Sequence, residues 1–235
     1  MTRDYLVFTL SATLGAMGEL AGHERRSSWT WPGRSAVLGL CAAALGIRRT
    51  GDFSQLDTLR MAVGVYSSGT PLRDFHTIQT VPSVAARNPQ SRGQALRHGR
   101  ARLETTITLR DYQAGCLFGV ALWARSGESL LPALRQALQQ PVFTLYLGRK
   151  SCPLNSPVAP VLLQSTDATS ALQAAVKIPE WAGTQNLQQI WTEEPGPTGA
   201  FVIRHDQPLD RTAWHFAPRQ MRRIDAPANG GPLHG

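Results

Sequence analysis

Residues 116–123 read Cys-Leu-Phe-Gly-Val-Ala-Leu-Trp, a continuous apolar run typical of a strand in the centre of a sheet. Two other runs, 5–10 (Tyr-Leu-Val-Phe-Thr-Leu) and 61–66 (Met-Ala-Val-Gly-Val-Tyr), are rich in aromatic and β-branched residues and also predict strands. Ser35 is placed to cap a helix over 36–45 that stops at Gly46, and leucines at helical spacing predict another helix over 129–139.

The order of these elements predicts an α+β fold. Strand, helix, strand, basic hairpin, strand and helix follow one another before residue 142, close to the βαββαβ plan of ferredoxin-like domains. In that plan the helices cover one face of an antiparallel sheet and leave the other free, and RNA-recognition modules use the free face. We expect a ferredoxin-like RNA-binding domain over 1–141, a smaller β-rich unit over 142–224 and a flexible Pro/Gly-rich tail over 225–235.

A long basic insertion separates two runs, 72–81 and 105–112, that are expected to pair as a hairpin. The insertion, 82–103, contains no Asp or Glu. Its cationic residues are Arg87, Arg92, Arg97, Arg100 and Arg102, together with His98. An apolar core cannot use such a segment, so it is an exposed projection suited to single-stranded RNA or, alternatively, an ordinary solvated loop.

The composition also favours a polyanionic partner. Lys and Arg number 24 against 16 Asp and Glu, the net charge is +8, and all the basic residues except Lys150 and Lys177 are arginines. A GC-rich genome would explain the preference for arginine over lysine but not the excess over acids. Three widely spaced cysteines show no metal or disulfide pattern, so we expect a cytoplasmic protein with no metal or cofactor. No apolar segment is long enough to cross a bilayer, so we also expect the protein to be soluble, with no membrane span.

Residues 148–151, Gly-Arg-Lys-Ser, end like a phosphate-binding loop. The first glycine of that motif would fall at position 144, which is Thr144, so a nucleotide-binding loop is not expected. A turn that contacts RNA phosphate through free backbone amides and two cations remains one reading, and an ordinary surface turn is the other.

Catalytic residue types occur without a recognisable arrangement. His76, His98, Tyr112 and Lys150 are the types that a metal-independent ribonuclease uses, but nothing in their spacing brings them together. Such a ribonuclease is one alternative, and a basic scaffold that binds only protein is another. Trp29 and Trp31 could stack on bases, whereas Trp123 lies in a run apolar enough to be core.

Several segments together resemble the CasD subunits of the type I-E CRISPR surveillance complex, Cascade, which belong to the RAMP superfamily. They are 6–10, 32–40 (Pro-Gly-Arg-Ser-Ala-Val-Leu-Gly-Leu) with 42–47, 72–77 (Leu-Arg-Asp-Phe-His-Thr), 109–112 (Leu-Arg-Asp-Tyr) before 118–122, and 146–154 (Tyr-Leu-Gly-Arg-Lys-Ser-Cys-Pro-Leu). The resemblance implies a modified ferredoxin-like domain with a long β-hairpin thumb, about 72–112, and a smaller C-terminal β-rich part.

The resemblance also implies a function. Such subunits hold the 5′ handle of the CRISPR RNA (crRNA), contact the backbone and large subunits of the complex, and meet target DNA only through that complex. It argues against an enzyme in the type I-E system. Carried over to this sequence, the RNA-binding positions are Arg34 and Ser35 at the helix entry, Arg73, His76 and Arg110 at the thumb base, and Tyr146, Gly148, Arg149, Lys150 and Ser151 in the turn.

Overall fold

The computed structural model describes residues 2–19, 24–82, 84–85, 88–124, 130–210 and 215–226. It contains a large, mostly antiparallel sheet with helices on both sides. The strands are β1 (Arg3–Gly15), β2 (Arg25–Arg26), β3 (Leu59–Ser67), β4 (Thr70–Thr80), β5 (Glu104–Ala124), β6 (Val161–Ser165), β7 (Gln189–Thr192), β8 (Ala200–Asp210) and β9 (His215–Asp225). The helices are α1 (Arg34–Ala44), α2 (Ser54–Asp57), α3 (Arg92–His98), α4 (Leu131–Gln139) and α5 (Ala168–Ala175), with 3₁₀ turns at Arg100–Arg102 and Glu180–Ala182.

The sheet follows the order β6-β1-β5-β3-β7-β9-β8, with antiparallel neighbours throughout. Its centre is the pairing of β1 with the second half of β5, for example Phe8 opposite Val120. The runs 105–112 and 116–123, predicted as separate strands, are one strand of 21 residues. They join at Gly115, whose positive φ of 77° allows the chain to bend without breaking the strand.

Alternating side chains of the central strands form two apolar layers. Leu6, Phe8 and Leu10 of β1 lie in the core cluster that contains residues of α1 and α4. Tyr5 and Val7 lie in the other cluster, with Trp123 and residues of α5. The expectation that one sheet face is free is therefore wrong here, because α5 covers that side of the central strands.

Helix α1 begins one residue before the predicted cap. Its N-cap is Gly33, which provides no side chain, so Ser35 is not the cap. A carboxylate from the C-terminal hairpin acts instead, since Asp206 Oδ2 accepts the backbone N–H of Arg34 at 3.0 Å. The predicted stop is present: Gly46 has a φ of +76° just after the helix.

Strands β4 and β5 pair over their outer lengths, from Thr70 opposite Ala114 to Thr80 opposite Glu104, and extend away from the central strands. We call this pair the arm. The predicted pairing of 72–81 with 105–112 is thus present. Its end carries α3 and a 3₁₀ turn, which the acid-free sequence did not suggest.

The C-terminal strands add to both edges of the same sheet. β6 pairs with β1, and β7 pairs with β3 before β9 and β8 follow. The expected boundary after residue 141 therefore does not separate two sheets. Of the expected tail, Asp225 is part of β9 and residues 227–235 lie outside the described residues. Within the described ranges, every helix falls short of the length and apolarity needed to cross a bilayer.

Candidate nucleic-acid interface

A groove of about 750 Å³ lies between α1 and the segment that follows α4. Ser35 lines it from the first turn of α1. Tyr146, Gly148 and Lys150 line it from the turn at 146–151, which we call the glycine turn. Two sites that the sequence suggested separately, more than 100 residues apart, thus form one surface. We call this surface the groove.

The rest of the groove has a largely aliphatic floor with cationic and aromatic side chains along it. Its further basic residues are Arg48 and Arg49, which follow α1, and its exposed or half-exposed aromatic residues include Phe143 and Phe216. Cations that follow a phosphate backbone, next to rings on which bases stack, are the combination that binds single-stranded nucleic acid. The groove therefore has the chemistry required for an RNA strand.

The glycine turn has a conformation that only glycine adopts easily. Gly148 has a φ of +85°, and a Cβ atom there would lie 1.6 Å from the carbonyl oxygen of Ala16. The amide of Ala16 donates to the carbonyl of Leu147 at 3.1 Å, and the amide of Leu147 donates to the carbonyl of Cys152 at 2.8 Å. The turn is thus held against the end of β1 and presents Lys150 and Ser151 to solvent.

Five arginines gather at the base of the arm. They are Arg25 and Arg26 of β2, Arg73 of β4, Arg110 of β5 and Arg149 of the turn, with Asp74 and Asp111 as the acids on the same strands. Asp111 accepts hydrogen bonds from Arg25 at 2.7 Å and from Arg73 at 2.8 Å. The Arg73 hydrogen bond and the neighbouring charges lower the pKa of Asp111, so this carboxylate remains ionised and orders both arginines. We call the five arginines the arm-base cluster, and its net charge is positive.

Arg149 connects the glycine turn to the arm. Its guanidinium lies 4.6 Å from the centroid of the Tyr112 ring and donates to the backbone carbonyls of Asp111 and Arg26. A planar guanidinium can stack on an aromatic ring and donate hydrogen bonds in two directions at once, which a lysine ammonium cannot do. Arg149 therefore fixes the position of the glycine turn relative to the strands at the base of the arm.

Arg34 is not at the surface, contrary to the expectation that it contacts RNA. It is 3% exposed, and its guanidinium donates to the carbonyls of Leu59 and Asp57 at 2.8 Å and to Glu193 at 3.2 Å. These contacts connect the start of α1 to the end of α2, the start of β3 and the residue that follows β7. The neighbouring Ser35 is exposed because one residue along a helix turns the side chain by about 100°.

The arginines of the insertion are exposed where the structure describes them. Arg92, Arg97, Arg100 and Arg102 all face solvent, while Arg87 lies outside the described residues. The predicted basic projection thus consists of a short helix, a 3₁₀ turn and their four described arginines. They lie at the far end of the arm from the arm-base cluster.

The candidate acid and base residues are not assembled for catalysis. His76 stands opposite Thr108 in the arm, and Tyr112 stands opposite Leu72, four residues further along. At about 3.3 Å per residue that separation is roughly 13 Å, far beyond hydrogen-bonding distance. Tyr112 is also buried beneath Arg149, and His98 belongs to α3 at the arm's far end.

Sequence reasoning missed four of these basic residues. Arg25 and Arg26 follow a glycine-rich stretch, and only their parallel pairing with β5 brings them to the arm base. Arg48 and Arg49 lie two and three residues after Gly46, the glycine that ends α1, and this position was a signal that could have been used. A basic pair beyond a helix C-terminus lies at the same end of the helix as its exposed carbonyls.

Comparison with known proteins gives consistent matches. A family model described as "CRISPR-associated protein (Cas_Cas5)" matches residues 5–222. Over 183 residues the chain is 33% identical to the "CRISPR system Cascade subunit CasD" of Escherichia coli (strain K12), covering 72% of this chain and 76% of that protein. The family match spans the groove and the arm.

Two solved structures are similar in fold. A chain of a "CRISPR RNA-guided surveillance complex" superposes with a TM-score of 0.68 and 24% identity, covering 97% of this chain and 94% of that one. A second, described as "Crystal structure of Cas protein", gives a TM-score of 0.60 and 27% identity, covering 97% of each chain. The likeness extends over the C-terminal strands as well as the central sheet.

Proposed function

Because the chain belongs to the CRISPR-associated Cas5 protein family, we propose that it is the guide-RNA-binding subunit of a type I-E CRISPR Cascade surveillance complex. In that role it holds the 5′ handle of the crRNA in antiviral defence. The observation that carries the proposal is the groove, which brings Ser35 of α1 together with Tyr146, Gly148 and Lys150 of the glycine turn. A cationic, aromatic groove of this kind fits the backbone and bases of a single strand.

The finer description of the fold belongs to the same proposal. The order β6-β1-β5-β3 with antiparallel neighbours is the 4-1-3-2 order of a βαββαβ domain, if β2 and the arm extension are set aside. We assign this core to a RAMP-type modified ferredoxin-like domain, whose fourth strand, β6, is contributed by the C-terminal β-rich unit, residues 142–224. The arm is the thumb, and its four described terminal arginines would reach RNA at a distance from the groove.

Assembly with other subunits is supported by exposed apolar side chains. Phe201, Ile203 and Leu209 are exposed on β8, which is the last strand of the sheet order. Phe75 and Ile107 are exposed on the arm. Exposed apolar groups on an edge strand are characteristic of surfaces that a partner covers. We assign these two surfaces to contacts with the Cascade backbone and large subunits, so that the chain meets target DNA only through the complex.

The competing ribonuclease function is not favoured, because His76 and Tyr112 are roughly 13 Å apart along the arm. A non-catalytic role makes a direct prediction. The purified chain, incubated with repeat RNA in EDTA, should leave the RNA intact. A discrete cleavage product would overturn the non-catalytic assignment without affecting the RNA-binding one.

The two lysines of the chain give a matched test of RNA binding. Lys150 lines the groove, whereas Lys177 lies near α4 and β6 on another surface. Binding of the full chain to fluorescently labelled repeat RNA is measured across a series of salt concentrations. Lys150→Ala should weaken binding and reduce the slope of log affinity against log salt by about 0.7, the value for one phosphate contact on a single strand.

Arg48→Ala in the groove should give the same result as Lys150→Ala. Lys177→Ala should leave both affinity and slope at the wild-type values. Equal slopes for Lys150→Ala and Lys177→Ala would contradict the assignment of RNA to the groove, since the charge removed is identical in the two variants.

A further inference from the structure

Four side chains stack at the place where residues 29–31 meet the C-terminal strands. The rings of Trp31 and Trp191 are stacked, with centroids 4.6 Å apart and planes at 15°. The guanidinium carbon of Arg204 lies 4.1 Å from the centroid of Trp31 and 4.1 Å from the centroid of Trp29. Trp31 and Arg204 are buried, but Trp29 remains 38% exposed although Arg204 covers part of it. We call this group the tryptophan stack.

The charge beneath Trp29 is only partly neutralised. Asp206 is 3.8 Å from Arg204, a distance too long for a good hydrogen bond, and its oxygens instead accept from Arg219 at 2.7 and 2.9 Å. Arg204 Nη1 is buried and has no hydrogen-bond partner within the part of the chain that the structure describes. Burial lowers the pKa of Arg204 to about 10, so the guanidinium is still charged at pH 7.

The wider environment of Arg204 contains both signs of charge. Three buried arginines, Arg34, Arg204 and Arg219, lie near the acids Glu193 and Asp206, and Glu19 also acts on Arg204. A buried guanidinium without a close carboxylate partner still favours an anion at the surface above it. The exposed part of Trp29 is on that surface.

Trp29 is close in sequence to both basic surfaces described above. It is three residues from Arg26 of the arm-base cluster and six from Ser35 of the groove. A chain spans at most about 3.5 Å per residue, so Trp29 is within about 10 Å of the first and about 20 Å of the second. An RNA strand that passes from the arm base to the groove comes within reach of its ring.

We propose that Trp29 is a base-stacking site, on which one unpaired nucleobase of single-stranded RNA lies against the exposed part of the indole. The proposal rests on the RNA-binding function proposed above. Arg204 and Trp31 hold the indole in one orientation, so little side-chain entropy is lost when the base stacks. The partly neutralised charge of Arg204 favours the adjacent phosphate, which a neutral ring alone would not do.

An apolar side chain of a neighbouring protein is the competing occupant of this ring. Trp29 has the polar Ser28 and Thr30 as its neighbours in sequence, and the side chain that supports its ring is a cation. A single ring supported by a guanidinium and lying beside arginines suits a nucleotide better than a protein surface. We therefore assign the site to RNA.

The test measures binding of the full chain to fluorescein-labelled single-stranded repeat RNA. Trp29→Ala should weaken binding by about 5- to 150-fold, the usual range for losing one stacked base. Trp29→Leu should weaken it similarly, because leucine preserves apolar packing but has no aromatic face. Trp29→Phe should stay within about threefold of wild type, and Trp181→Ala should have no effect since that exposed tryptophan belongs to a separate 3₁₀ turn.

A second series uses RNA in which one nucleotide at a time is made abasic. At one position the wild-type protein should lose affinity to the level of Trp29→Ala, and Trp29→Ala should lose nothing more. Circular dichroism of each variant confirms that the fold is retained.

Wild-type affinity in Trp29→Leu, or an abasic series with no such position, would overturn the stacking site and favour simple apolar contact. If wild type binds RNA and Trp29→Ala binds equally well, only the stacking site is refuted. If wild type itself fails to bind, the RNA-binding function is refuted as well.

Discussion

Replacing Gly148 with alanine should destabilise the protein far more than the same change at an unconfined glycine. Gly148 has a φ of +85°, and adopting this left-handed conformation costs alanine about 1–2 kcal/mol. The new Cβ would be 1.6 Å from the Ala16 oxygen, whereas real contacts stay above 3.0 Å, so the two backbones must separate by about 1.4 Å.

That separation breaks a specific contact. The hydrogen bond from the Ala16 amide to the Leu147 carbonyl, now 3.1 Å, is lost at a cost of about 1 kcal/mol. Partial exposure of the buried Leu147 side chain costs about 1 kcal/mol more. We expect Gly148→Ala to lower the free energy of unfolding by about 3–4 kcal/mol. RNA affinity should also fall, because Lys150 is carried by the displaced turn.

The matched control is Gly18→Ala. Gly18 has a φ of +65° but no atom within 4 Å of its hypothetical Cβ, so it should lose only the conformational cost of about 1–2 kcal/mol. Both variants are compared with wild type by urea unfolding, and RNA binding is measured in parallel. If the two losses agree within about 0.5 kcal/mol, the close approach of the turn to β1 is not what the glycine serves.

Three further predictions concern the groove, the C-terminal hairpin and the arm. Gly39 faces the groove with no atom within 4 Å of its hypothetical Cβ. Gly39→Ala should therefore retain RNA binding and raise the free energy of unfolding by up to about 1 kcal/mol, because alanine is the better helix former. Gly39→Phe should fill the groove and reduce RNA affinity at least about tenfold, as measured by fluorescence anisotropy. Burial alone would raise the pKa of Asp206, but the hydrogen bonds and charge of Arg219 outweigh it and lower that pKa. The stability that this pair contributes is therefore fully present above about pH 4 and is lost as the pH falls further. Asp206→Asn should lower the free energy of unfolding by about 3–5 kcal/mol at pH 7, and the urea midpoint should then fall less steeply with pH below about pH 4. An unchanged pH dependence in that range would contradict this. Reversing Arg92 and Arg97 to Glu should weaken RNA binding and its salt dependence without changing the unfolding midpoint, and unchanged binding would remove the arm end from the RNA interface.

Local patterns predicted many elements of this fold correctly. The apolar runs 5–10, 61–66 and 116–123 are all strands, and the helix that stops at Gly46 is present. Asp167 caps α5 with a side chain of the type that favours this position, accepting the Ser170 amide at 2.8 Å. These features depend on side-chain periodicity and on conformations that a few neighbouring residues impose, so sequence alone contains them.

The environment of each arginine was not predictable in the same way. Arg34 and Ser35 are adjacent, yet Arg34 is buried in an ion-pair network and Ser35 lines the groove. Trp29 and Trp31 are two residues apart, and only one of them is exposed. Burial is decided by which distant element packs above a residue, and here that element is the hairpin that carries Arg204 and Asp206.

A basic chain with a sheet-forming core, an acid-free arginine segment and a Gly-Arg-Lys-Ser stretch can be read from the residues alone. Tertiary structure decided that Ser35 and Lys150 share one groove, that Arg25 and Arg26 join the arm base, and that the second sheet face is covered by α5. The physical reason is the range of the interactions. Strand and helix formation follow from contacts between neighbouring residues, whereas a binding surface depends on pairings between residues far apart in the chain.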